Sequence, residues 1–149
     1  MKVPADPPVG CVIAYEYLWA SQADVREDGA KVYPAAVILA RILVAQTTLA
    51  YVVGISHRRP GDGERALPVP GKLKQWLGLD HQPAWVYTDQ LNVFAWPGPD
   101  LRPAHYLSTR QDAKDTCVIG PLPTDWFRTV TTHVYESRQV LRLKSIKRS

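Results

Sequence analysis

A β-branched apolar run, Tyr51-Val52-Val53-Gly54-Ile55, ends in Ser56-His57-Arg58-Arg59 and then meets Pro60-Gly61-Asp62-Gly63. The run has the residue types of a buried strand, and the Pro-Gly cluster must be a turn or loop. A strand therefore brings a hydroxyl, an imidazole and two guanidinium groups to its mouth. The imidazole exchanges a proton near neutral pH, and the guanidinium groups pair with phosphate oxygens. Cleavage of an RNA backbone by its own 2′-hydroxyl needs such a set: a proton acceptor, a proton donor and cations for the phosphorane charge. The plainer alternative is a solvated basic loop.

The rest of the chain bounds what can support that mouth. A length of 149 residues fits one domain, with 46% hydrophobic and 21% charged residues. The formal net charge of +4 suits an anionic partner without demanding one. Residues 140–149 read as a basic tail, since Arg142, Lys144, Lys147 and Arg148 occur there without an acid. Residues 1–9 are proline-rich and read as a flexible N-terminus. The two cysteines, Cys11 and Cys117, read as free thiols, and neither CxxC nor HxxxH spacing occurs, so no metal site and no cofactor are expected. No secretory apolar segment opens the chain, and no apolar run reaches the roughly 18 residues of a membrane span, so a cytoplasmic protein with no membrane partner is expected.

Thirteen prolines cut the chain into short pieces. Cys11 to Trp19 reads as a strand, Ala20 to Lys31 as an exposed loop, and Pro34 to Val44 as a central strand buried on both faces. Thr47 to Ser56 follows as its antiparallel neighbour. Arg41 interrupts the apolar run and should face water or a functional groove. Ala66 to Pro70 suits only an edge strand, because its prolines remove ladder donors. Leu73, Trp76 and Leu77 mark a short helix from Gly71 to Leu77, with Gly78 just beyond its end. Ala84 to Gln90 and Asn92 to Trp96 read as two strands, and Trp96-Pro97-Gly98-Pro99 as a turn. Thr124 is placed to cap a helix running to Gln139, with Phe127, Val130, Val134 and Leu141 on its apolar stripe and Ser137 interrupting it. The sum is a mainly β, α+β domain, best read as a small bent barrel with a C-terminal helix.

The order of these pieces resembles the PemK/MazF family of toxin endoribonucleases. Gly10-Cys11-Val12-Ile13 is similar to its opening Gly-Asp-Val strand, and Lys31-Val32-Tyr33-Pro34 followed by apolar residues is similar to its Arg-Pro strand. Val53-Gly54-Ile55-Ser56 resembles its strand ending in Ile-Thr, and Asp89-Gln90-Leu91 its acid-Gln-apolar strand. Trp96-Pro97-Gly98-Pro99-Asp100-Leu101-Arg102-Pro103 resembles a mark of one branch. The resemblance implies an SH3-like barrel of the kind shared with gyrase-poison toxins. It also implies a homodimer, metal-independent cleavage of single-stranded RNA such as messenger RNA, growth inhibition, and a cognate antitoxin. Tyr33 stands where the family has Arg, and Ser56 where it has Thr. Serine keeps the hydroxyl, whereas tyrosine does not keep a permanent cation.

The candidate catalytic residues are thus Ser56, His57, Tyr33 and Lys31. The candidate RNA-binding residues are Arg58, Arg59, Arg41 and Gln90. His81, His105 and His133 read as structural or surface residues, and the five tryptophans mostly as core or dimer surface. Two other readings share the fold: a barrel that binds RNA or an antitoxin without cutting, and a toxin aimed at a protein such as gyrase.

Overall fold

The computed structural model describes residues 1–25, 29, 31–43 and 46–149. Val44, Ala45 and, within the loop expected at 20–31, Arg26, Glu27, Asp28 and Ala30 lie outside the described residues. Among the described residues, eight strands and two α-helices follow in the order β1 (Cys11–Tyr15), β2 (Tyr33–Ile42), β3 (Thr48–Ser56), β4 (Ala66–Pro68), α1 (Gly71–Trp76), β5 (Trp85–Tyr87), β6 (Gln90–Ala95), β7 (Val118–Pro121), α2 (Thr124–Gln139) and β8 (Lys144–Lys147). The fold is mainly antiparallel sheet with two helices, an α+β arrangement.

Alternation along the strands builds two apolar layers. Val12 and Ala14 of β1, Ala36 of β2, and Val53 and Ile55 of β3 pack with Leu73, Leu77, Val130 and Val134 of the helical side. Ile13, Tyr15, Ala35, Val37, Ala50 and Val52 face the opposite layer, with Phe94 and Trp96. Tyr15 stacks on Phe94 with ring centroids 4.5 Å apart. Both faces of the sheet centre are therefore buried, as the apolar run of β2 predicts. That burial stops at Val37, where the β2–β3 register shifts before Leu39. Beyond this bulge the outer end of β2 is exposed, with Ile42 83% accessible, while Ala50 on the paired strand stays buried.

The sheet runs β4-β5-β3-β2-β1-β7, with β6 also on β3 and β8 parallel to β6. Leu49 to Val52 of β3 pair with β6, whereas Ile55 and Ser56 pair with β5. β3 thus forks, and the sheet does not close on itself. The expected edge strand is present as β4, paired only with β5.

Several boundaries differ from the sequence reading for identifiable reasons. β1 ends at Tyr15, not Trp19: the Leu18 N–H and carbonyl pair with the Asn92 side-chain amide at 2.9 and 2.8 Å instead of a neighbouring strand. Gln90 starts β6 and does not end β5: β5 closes at Tyr87, with the Thr88 N–H still reaching the Arg65 carbonyl in register with β4. Thr124 is the first residue of α2, with Pro123 in the cap position and no side-chain cap. Val130, Val134 and Ser137 form the buried stripe of α2, and Leu141 lies beyond its end, 93% exposed at φ 58°. Ser137 fits that stripe because its hydroxyl accepts from Arg65 Nε at 2.6 Å and donates to the His133 carbonyl.

The chain ends are tied into the fold. The Trp96 indole donates to the Pro4 carbonyl, and Lys2 forms a bridge with Thr116. The basic segment expected as a tail forms β8, and Arg148 is buried. Its guanidinium donates to the Glu16 carbonyl and Asn92 Oδ1, each at 2.8 Å, and to Asp100 Oδ2 at 2.7 Å. Cys11 and Cys117 are free thiols, and burial pushes both of them above the usual thiol range.

Candidate functional site

The end of β3 opens into a groove of about 1080 Å³. Lys31, Tyr33, Ser56, His57, Arg58 and Gln90 all line it. Tyr33 opens β2 with Lys31 two residues before it, Ser56 ends β3 with His57 and Arg58 just beyond it, and Gln90 opens β6. Ser56 and His57 share the groove although neighbours on a strand face opposite sides. β3 stops at Ser56, and the backbone turns there, with Ser56 Oγ accepting from the Arg58 N–H at 3.2 Å. Gly54 lets the wall close up behind them: a Cβ at that position would sit 2.7 Å from the Trp19 ring and 3.0 Å from Tyr17.

His57 is held from both sides. Nδ1 lies 2.8 Å from the Pro83 carbonyl oxygen and Nε2 lies 2.9 Å from Asp80 Oδ2. Between them the two partners fix the orientation of the ring. Asp80 is fixed in turn by the Gln82 N–H on its other oxygen. Arg58 forms a fork with Glu64, Nη1 to Oε1 at 2.9 Å and Nη2 to Oε2 at 2.6 Å. That bond holds the Glu64 carboxyl below its ordinary value and raises the guanidinium of Arg58. Arg58 also lies over the Tyr87 ring at 5.1 Å, and the Tyr87 hydroxyl donates to the Arg58 carbonyl. Burial pushes that phenol up from its usual range.

Lys31 places its ammonium 5.0 Å from the centre of the Tyr33 ring, and Trp19 meets the same ring edge-on at 5.2 Å. Tyr33 thus carries a cation on its face. Gln90 is buried, and its Oε1 accepts from the Ala20 N–H at 2.8 Å, which fastens the turn at Ala20–Gln22 to the groove floor. Arg59 and Arg41 are not on the groove wall. Arg59 lies over Trp85 at 5.8 Å, and Arg41 sits on the exposed outer end of β2, 3.3 Å from the Tyr51 hydroxyl.

Sequence reasoning missed the carboxylates of the groove. Asp24, Asp62, Glu64, Asp80 and Asp89 line it together with Lys31, Arg58, Lys74, Arg142 and Lys144, so the walls are nearly balanced in charge. Glu64 lies six residues past Arg58 across a Pro-Gly turn, a spacing that allows a fork; nothing local marks Asp80 as the partner of His57. Among the described residues, no three His, Cys, Asp or Glu side chains converge to hold a metal ion, and no helix is long and apolar enough to cross a membrane.

No family model matches the chain, and no curated protein matches it either.

Proposed function

We propose that the protein is a metal-independent endoribonuclease of the PemK/MazF type, an SH3-like barrel that acts as a homodimer on single-stranded RNA in the cytoplasm and is restrained by an antitoxin. The observation that carries this reading is that Lys31, Tyr33, Ser56 and His57 all line one groove, at the start of β2 and the end of its neighbour β3. An RNA phosphate entering there displaces the Asp80 carboxylate from His57 Nε2. The 2′-oxygen attacks phosphorus, and the bond to the 5′-oxygen breaks. The imidazolium gives its proton to that leaving oxygen, and Asp80, now open beside the same phosphate, takes the 2′ proton. Lys31 and the hydroxyls of Tyr33 and Ser56 stabilise the equatorial oxygens, the role for which a preorganised site is most effective. The products are a 2′,3′-cyclic phosphate and a 5′-hydroxyl.

The test is incubation of the purified protein with mixed-sequence single-stranded RNA in EDTA, followed by mapping of the ends. Cuts that leave cyclic phosphate are expected, and intact RNA overturns the reading. A second reading, binding of RNA without cleavage, draws on the occupied state of the cations: His57 on Asp80 and Arg58 on Glu64. Retention of uncut RNA in the same assay selects it.

A further inference from the structure

Arg58 carries its guanidinium into the groove from the end of β3, and its fork is already filled. The two oxygens of Glu64 match Nη1 and Nη2 as the two non-bridging oxygens of a phosphodiester do. The loop that delivers Glu64 is shaped for the purpose. Glu64 Oε1 also accepts from the Gly61 N–H at 2.8 Å, and Gly63 takes a left-handed φ of 82° that turns the chain back. The Gly63 carbonyl is then pinned by Arg142 Nη1 at 2.6 Å, from the connection between α2 and β8. Arg58 has supports of its own, the Tyr87 ring beneath its guanidinium and the Tyr87 hydroxyl on its carbonyl. The fork therefore stays in place when Glu64 leaves.

We propose that Glu64 is a built-in competitor, occupying the Arg58 phosphate subsite in the resting protein and giving it up when a nucleic-acid backbone enters the groove. This rests on the RNA reading above. The side chains of the pair are 59% and 29% accessible, and so exposed a pair is held only weakly against a polyanion. A strand that contacts several groove cations at once displaces Glu64, whereas one free phosphate ion competes with it poorly. The latch sets a threshold on affinity and favours long single strands over mononucleotides.

The test is fluorescence anisotropy with a labelled single-stranded oligonucleotide carrying 2′-O-methyl riboses, which binds but cannot be cut. Wild type, Glu64→Gln, Arg58→Ala and the double variant are compared, each checked for its fold by circular dichroism. Glu64→Gln is expected to bind roughly three- to fivefold tighter, the range that release of an exposed ion pair allows. The gain should vanish in the Arg58→Ala background, and Glu64→Asp, one methylene short of a good fork, should fall in between. If wild type binds and Glu64→Gln binds no tighter, the latch is wrong and the RNA reading stands. An equal gain without Arg58 also overturns the latch, because simple removal of negative charge then explains it. If no variant binds the oligonucleotide, the latch and the RNA reading fall together.

Discussion

The imidazole of His57 and the carboxylate of Asp80 meet at 2.9 Å across 23 residues of chain, on the wall of the groove at the end of β3. With Pro83 accepting at the other nitrogen, the ring is oriented before any ligand arrives. If this pair moves the two protons of the reaction, the residues act as a unit. His57→Ala should lower single-turnover RNA cleavage by about 10²-fold or more, the usual contribution of a general acid or base. Asp80→Asn should cost a similar factor, and the double variant should be little worse than either single one. Independent, multiplying losses would separate the two residues.

Tyr33 and Ser56 have smaller expected effects. Ser56→Ala should reduce cleavage less than His57→Ala, since Ser56 Oγ also serves the Arg58 N–H in the turn. Tyr33→Arg places a permanent cation where Lys31 now rests on the ring, and cleavage should hold or rise. A large loss in Tyr33→Arg, with the fold intact by circular dichroism, would show that the phenol itself is needed.

RNA affinity should fall with salt. Lys31, Arg58, Arg142 and Lys144 line the groove, and four phosphate contacts to a single strand correspond to a slope of about −3 in log K against log salt. A flat dependence, read by anisotropy over a salt series, would exclude a phosphate-led groove.

Arg148 should be among the most sensitive positions for stability. Its side chain is 1% exposed and joins Glu16, Asn92 and Asp100. Arg148→Ala leaves the Asp100 carboxylate buried without its partner, and a loss of about 3–5 kcal/mol is expected in denaturant unfolding. A variant as stable as wild type would mean that β8 is dispensable.

His133 ties stability to pH. Burial, and then the nearby Arg65 charge, lower its imidazole below 6.5 in the folded state, while Nδ1 meets Thr88 Oγ1 at 2.6 Å. The unfolded chain then binds the proton more readily. The stability that this residue supplies is complete above about pH 6.5 and is lost as the pH falls towards the lower folded value. Thermal melts of wild type and His133→Gln should diverge in that window, and parallel curves would contradict it.

What could be read from the sequence follows the range of the interactions. α2 was legible to the residue because Val130 and Val134 repeat at helical spacing between prolines and the end of the apolar stripe. The strand ending at Ser56 was legible from its β-branched run, and with it the place of the groove. Residues 16–19 have strand composition, yet the Leu18 backbone is satisfied by the side chain of Asn92, 74 residues away, and the Glu16 backbone by the Asp100 carbonyl and the Arg148 guanidinium. No local pattern carries that. β8 was hidden for the same reason: Lys144-Ser145-Ile146-Lys147 reads as solvated, and what holds it is Arg148 reaching three distant segments. In the site, the cations were visible by residue type, whereas their pairing with Asp80 and Glu64 depends on loops that only the folded chain brings together.

The most direct measurement compares two oligonucleotides in EDTA: an all-ribose strand containing a mapped cut site, and the same strand with a 2′-deoxy sugar at that site. Cleavage of the first to a 2′,3′-cyclic phosphate, with the second left whole, is the expected result. Equal cutting of both, or of neither, would contradict a groove that cleaves RNA through its own 2′-hydroxyl.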